Sequence, residues 1–341
     1  MQMLSKKITT AVRLLLAGAA FGLSATAGAA PAKLVLCVWD IAGTQGDVFN
    51  LMKDYQLAAA RWGANLELKP YVDEKIASED FKAGQCDAVI MTGLRGRQFN
   101  VFTGSLDSLG SQPTYKHVEK VMATLAKPNA AKLMVSGNYE VAGLTPMGAA
   151  YLFVNDRSIN TVGKLSGKKI AVLDYDKAQA KMVQKVGAQP VASDVMNFAG
   201  KFNNGSVDII GAPAAAFKPL ELFKGLGNKG AIAQFPLVQL TLQLIIRQDR
   251  FPEGYGQKSR EYMYTQLPRS MTLINNAEKA IEKRFWMAIP EADQEKYTLM
   301  IRESRIALTN EGIYDKKTMR MLKQIRCQIA PSDAECSQTL E

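Results

Sequence analysis

Four short, almost wholly apolar runs limit what this chain can fold into. Residues 33–39 (Lys-Leu-Val-Leu-Cys-Val-Trp), Asp87–Met91, Lys168–Leu173 and Val207–Ile210 lack the alternation of a half-exposed strand. They read as strands covered on both faces, as in a parallel sheet. Helical patterns lie between them. After the turn Asp40–Gly46, Asp47 is placed to cap a helix carrying Val48, Leu51, Met52 and Tyr55 on one face and ending at Gly63. Leu66–Tyr71 alternates like a strand, and a short helix from Ser78 to Gly84 precedes Asp87. Strand–helix–strand–helix–strand implies right-handed crossovers and an α/β domain.

The order then repeats. Asp176–Val186 reads as a helix closed by Gly187, Val191 lies in a short strand, Ser193 caps a helix, and a strand ends at Gly211-Ala-Pro213. Two units suit a chain of 341 residues. Ala150–Asn155 and the alternating run Val238–Gln248 bridge them, and amphipathic helices follow near 257–267, 271–287, 291–308 and 315–328. The expected fold class is therefore α/β, with two lobes, a hinged cleft between them and a helical C-terminal region. Lobe I is expected to span 30–150 plus 250–341, and lobe II 151–249, crossing strands included.

The N-terminus reads as an address. Lys6, Lys7 and Arg13 precede an uncharged stretch from Leu14 to Ala30 whose end is crowded with small residues. This is the plan of a secretory signal peptide, with cleavage expected after Ala29, and it places the protein in the periplasm. Removal of residues 1–29 lowers the formal charge of +10 by three. Cys37, Cys86, Cys327 and Cys336 show no CxxC spacing, which argues against zinc or a redox motif. In an oxidising compartment four cysteines suggest disulfides, with three possible pairings. Cys327 and Cys336 are close enough to clip a C-terminal loop, which would leave Cys37 to join Cys86.

Ligands of open α/β sheets sit beyond the carboxyl ends of the strands. That rule selects Trp39, Asp40 and Thr92-Gly-Leu-Arg95-Gly-Arg97 from the first unit, and Asp174-Tyr175-Asp176 and Pro213 from the second. Arg95 and Arg97 are suited to holding a carboxylate or phosphate. Glu140 precedes the first crossing, as a hinge acceptor or a ligand contact. Gln239, Thr241 and Gln243 give the second crossing an uncharged polar face, and buried amides need partners. Asp40 and Asp174 are equally suited to capping helices.

Enzyme signatures are missing. The single histidine, His117, lies in a helical surface pattern, and no GxSxG, HExxH or Walker A sequence occurs. Gly225-Leu-Gly-Asn-Lys-Gly230 fits GxGxxG but follows a helix rather than a strand, so it reads as a loop. No catalytic residue, metal or cofactor is expected, and no nucleic-acid partner.

Leu165-Ser-Gly-Lys-Lys-Ile170, Val186-Gly-Ala-Gln-Pro-Val191, Phe202-Asn-Asn-Gly-Ser-Val-Asp208 and Arg284–Gln294 together resemble the second lobe of the solute-binding proteins of TRAP transporters. More closely, Cys37–Gly43, Phe81–Asp87, Thr92–Phe99, Asn155–Ser158 and Phe235–Gln243 resemble a group of periplasmic solute-binding proteins, some labelled efflux-pump or drug-resistance components. The resemblance implies a type II-like, TRAP-like two-lobed binding fold that captures a small polar or anionic solute for an inner-membrane transporter. It also implies an arginine after Lys-Ile in the second lobe, where this chain has Ala171. Another arginine (Arg95, Arg97 or Arg157) would have to supply the charge, or the solute is not a simple carboxylate. The alternative reading is a periplasmic accessory protein of a membrane transport or efflux complex; an enzyme using cleft carboxylates such as Asp40 or Glu140 ranks below both.

Overall fold

The computed structural model describes residues 33–341, so the expected leader lies outside the described residues. Strands β1 (Lys33–Trp39), β2 (Asn65–Tyr71) and β3 (Ala88–Thr92) run parallel in the order β2-β1-β3. Helices α1 (Asp47–Ala60) and α2 (Glu74–Lys82) make the crossovers. Two local starts differ from expectation. Asp47 is the first helical residue rather than the cap. The Asp40 carboxylate reaches across the turn and accepts the N–H groups of Val48 and Phe49 at 2.9 and 3.2 Å. A side chain on Gly46 would occupy the space of that carboxylate, which explains the glycine there. Helix α2 begins at Glu74, not Ser78, because Asp73 accepts the N–H groups of Lys75 and Ile76 at 2.8 and 3.2 Å.

After β3 the chain forms two single turns, α3 (Gly93–Gly96) and α4 (Val101–Gly104), and the longer α5 (Tyr115–Leu125). The short strand β4 (Val135–Ser136) leads into β5 (Tyr139–Val154). The second unit repeats the first: β6 (Lys169–Leu173), β7 (Gln189–Ser193) and β8 (Ile209–Pro213) lie parallel as β8-β6-β7, with α6 (Lys177–Lys185) and α7 (Phe198–Asn203) between them. Ser193 closes β7 instead of capping α7. Asp194 takes the N–H groups of Met196 and Asn197 ahead of the helix.

One sheet joins the units. The single-turn α8 (Phe223–Leu226) and β9 (Ala231–Ala233) precede β10 (Val238–Arg247), and the strand order runs β2-β1-β3-β10-β5-β8-β6-β7. β10 is antiparallel to both β3 and β5, and the far end of β5 is antiparallel to β8. The first crossing is thus much longer than Ala150–Asn155: sixteen residues, about 50 Å at the usual strand rise. Gly148 in β5 has φ +99°, beside the register shift at Leu240/Thr241, a conformation that only glycine adopts without strain. The glycine-rich loop Gly225–Gly230 begins within α8 and follows no strand.

Helices α9 (Tyr255–Thr265) and α10 (Leu267–Lys279) pack on β5. The helix expected over 271–287 stops early, because Trp286–Met287 forms β11 and pairs with β9. Helices α11 (Glu291–Asn310) and α12 (Lys316–Ile329) complete the fold. Arg305 and Arg326, both buried, meet Glu335 and Glu341 there. Among the described residues no helix is long and apolar enough to cross a membrane.

The disulfides pair Cys37 with Cys86 and Cys327 with Cys336. Loops of 49 and 9 residues correspond, on the chain-entropy account, to about 4 and about 2.6 kcal/mol of stabilisation. Urea unfolding of Cys37→Ala/Cys86→Ala and Cys327→Ser/Cys336→Ser double variants checks this. The first pair should cost more; the reverse ranking would rule out loop entropy as the cause.

Candidate functional site

The carboxyl ends of strands from both units converge on one cavity of about 150 Å³. Trp39 at the end of β1 and Thr92 at the end of β3 come from one side. Ile170–Leu173 of β6, Tyr175 and Pro213 at the end of β8 come from the other. Met147, Ala150 and Leu152 of β5 and Leu237, Val238 and Leu240 around β10 form the floor, while Gln179 and Met182 of α6 and Tyr314 add further wall. Met147 also borders a second cavity of about 350 Å³ between the start of α1, residues 214–219 and α10.

Of the residues selected from sequence, Trp39, Thr92, Leu94, Tyr175, Asp176 and Pro213 line the first cavity. Asp40 is buried and occupied with its turn and α1. Glu140 pairs with buried Arg260 of α9, against Gly256, where no side chain would fit. Asp174 is exposed and lines neither of these two cavities. Gln239 is buried with its Oε1 unpartnered, away from the cavity lining. Its stripe is nonetheless internal: Gln243 accepts from Thr103 Oγ1 at 2.9 Å and donates to Thr103 O at 2.9 Å, and Thr241 Oγ1 donates to Asp107 at 2.7 Å. Gly93 lies so close that any side chain there would run into Thr241 and Asp107.

The arginines are committed. Arg95 Nε donates to Glu74 at 3.0 Å, and the Tyr175 ring covers its guanidinium at 3.8 Å while the Tyr175 hydroxyl donates to the same Glu74 at 3.2 Å. Glu74 also accepts the Thr92 N–H at 2.8 Å. Arg97 Nη1 donates to Asp176 at 3.2 Å and its Nε to Gly104 O at 3.0 Å. Arg157 donates to Gly230 O and Arg284 O. Both Tyr175 and Asp176 belong to the second unit, so Arg95, Glu74 and Arg97 clamp one unit to the other.

The chain matches the model of the family described as "Solute-binding protein AdeT 1/2" over residues 58–341. The chain belongs to this AdeT1/2 solute-binding family. The Probable solute-binding protein AdeT1 of Acinetobacter baumannii is 54 % identical over 300 residues, covering 88 % of this chain and 99 % of that protein. AdeT2 of the same organism is 28 % identical over 236 residues, 68 % of this chain and 98 % of AdeT2. Among solved structures, a TRAP periplasmic solute-binding protein from Ralstonia eutropha with bound (S)-2-acetolactate superposes with a TM-score of 0.72 at 11 % identity, covering 87 % of this chain and 99 % of that one. One from Desulfovibrio salexigens with bound orotic acid matches equally, at 14 % identity and the same coverage. The two-lobed fold expected from the sequence is that of these proteins.

Within this AdeT1/2 member, Asp107 is a residue that strand-end reasoning missed. It sits in an irregular loop after α4 and is held by Thr241, whose N–H and hydroxyl it accepts at 3.1 and 2.7 Å. No local pattern marks it; the polar stripe on β10 was the only signal. Burial pushes its carboxyl up from 3.8 to about 7, against the Thr241 hydrogen bonds. Tyr175 is likewise raised, by burial first and by Glu74. His117 is buried in α5 rather than on a surface; its Nδ1 meets Thr114 Oγ1 at 2.8 Å, and burial together with the Arg326 charge lowers its pKa.

Two outcomes are expected. Above pH 4 the unfolded chain releases the Asp107 proton while the folded chain keeps it. This group's contribution is therefore complete at acid pH and is lost as pH rises towards 7. Asp107→Asn should remove that slope in urea unfolding followed between pH 4.5 and 8; parallel slopes for both proteins would exclude Asp107 as its source. Tyr175→Ala combined with Arg97→Met should weaken closure, so that extract fractions which contract the wild type in small-angle scattering contract this variant less. An equal contraction of both proteins would mean that the clamp does not hold the lobes together.

Proposed function

We propose that the protein binds one small molecule in the cavity between its lobes, in the periplasm, and presents it to an inner-membrane transporter. One observation carries this reading: the carboxyl ends of strands from both units wall a single cavity. A cleft walled from both sides encloses its ligand most completely when the lobes close, so ligand shifts the population towards the closed state. Membership of a solute-binding family supports the reading. So do the TRAP proteins of the same fold that hold acetolactate, orotate or, in a Sulfitobacter protein, galacturonate. The leader over residues 1–29 would deliver the chain to the periplasm. The lobe bounds proposed with this reading are lobe I over 30–150 plus 250–341 and lobe II over 151–249, and the two α/β units with their crossing strands support a division of this kind. Among the described residues no group of three or more His, Cys, Asp or Glu is arranged to hold a metal. We assign no catalytic residue.

Trp39 provides the test. In a Trp62→Phe/Trp286→Phe variant its emission reports on the cavity wall alone. Fractions of a small-molecule cell extract should shift that emission and reduce the radius of gyration together. A protein that keeps one shape and one spectrum with every fraction does not capture solutes.

A further inference from the structure

The chemistry of the cavity narrows the class of solute, an inference that rests on the capture reading above. The wall is aliphatic and aromatic for most of its extent, with Ile170, Ala171, Val172, Met182, Leu237 and Leu240 among its members. Its charged residues are Asp107 and Asp176, both acids, and among the described residues no lysine or arginine lines it. The nearby cations are spent on partners: Arg95 on Glu74 beneath the Tyr175 ring, Arg97 on Asp176 and Gly104. Arg97 Nη2 has no partner, but it is a buried atom of a residue outside the lining.

An organic anion entering this space would lose its water and find no free cation among the described lining residues, since Asp176 is already paired with Arg97 and Asp107 is held by Thr241. Burying an unpaired carboxylate is costly, whereas an apolar surface gains free energy in proportion to the area removed from water. A cavity of about 150 Å³ matches a single aromatic ring in size. The wall still offers hydrogen-bonding groups, Thr92 and Gln179 among them. Gln179 uses its Oε1 to accept the Leu173 N–H at 3.0 Å, which leaves its amide NH2 free to donate.

We infer that this cavity selects an uncharged, predominantly apolar molecule carrying one hydrogen-bond acceptor, rather than an organic anion. Gln179 supplies the donor, and the paired charges of Arg95 and Arg97 serve closure instead of ligand binding.

Phenylacetamide and phenylacetate share a ring and differ in charge, so titration calorimetry with both separates the classes. The amide should bind at least tenfold more tightly. Ala171→Arg, which adds the missing cation to the wall, should reverse the order; if that variant does not fold, the wild-type pair still decides. Equal or tighter binding of phenylacetate by the wild type overturns the inference while leaving solute capture intact. Where neither probe binds, native mass spectrometry of gently purified protein decides. A retained uncharged compound supports the inference, and a retained organic acid overturns it. No retained molecule, together with no change of shape with any extract fraction, overturns solute capture itself and this inference with it.

Discussion

The antiparallel pair β5–β10 is the constraint on which the rest of the molecule depends. Each parallel three-stranded unit could stand as an α/β layer, but their carboxyl ends would then have no reason to face one another. β10 pairs with β3 on one edge and with β5 on the other, and the far end of β5 pairs with β8. The two strands thereby fuse both units into one sheet and fix which loops converge. The cavity lies at that convergence, and its floor is built from the crossing strands themselves. Gly148 places a backbone conformation forbidden to other residues within the strand pair that the two units share. A connection of two strands transmits relative rotation of lobes while keeping their register, which is what a hinge requires.

The buried charges around the cavity answer to that geometry. An isolated arginine or glutamate inside a protein is strongly unfavourable, and breaking a buried pair costs several kcal/mol because one charge is left behind. Glu74 is 1 % exposed and Arg95 6 %, so neither is stable alone. Each is satisfied on its own lobe, and Tyr175 adds its ring and hydroxyl only when the other lobe is near. Arg97 and Asp176 are the more demanding pair, since their partnership exists only across the lobes. Separation would expose both to water, which lowers the cost of parting them. Such contacts suit a reversible clamp better than a purely structural bond.

Much of the fold was legible because strand–helix–strand order, glycine stops and apolar runs are local signals. The disulfide pairing suggested by spacing matched the structure, and the GxGxxG stretch was correctly set aside on its preceding helix. The failures share a cause: partners distant in sequence. Asp40 displaced Asp47 as the cap because a turn folded its carboxylate back onto α1. Arg95 and Arg97 read as ligand-holding groups, yet Glu74 lies 21 residues before one and Asp176 79 residues after the other. Only the assembled sheet shows that both are taken. The first half of β5 was missed for another reason. Ala142–Ala150 contains two glycines and Pro146, a composition that reads as a breaker. Pro146 is tolerated because it faces Thr241 at the register shift, where the ladder is already irregular.

A cavity without a cation must obtain affinity and selectivity differently from one that grips a carboxylate. An ion pair is directional and fixes one end of the ligand, whatever the fit of the remainder. Apolar burial is non-directional, contributing roughly 25 cal/mol per Å², so discrimination comes from how well the ligand fills the space between the walls. Because those walls belong to different lobes, each increment of ligand surface is fully buried only in the closed form. A ligand too small leaves voids, and one too large holds Tyr175 away from the Arg95–Glu74 pair. Closure then measures the size of the solute, with the charge clamp engaged only when the apolar fit allows the lobes to meet.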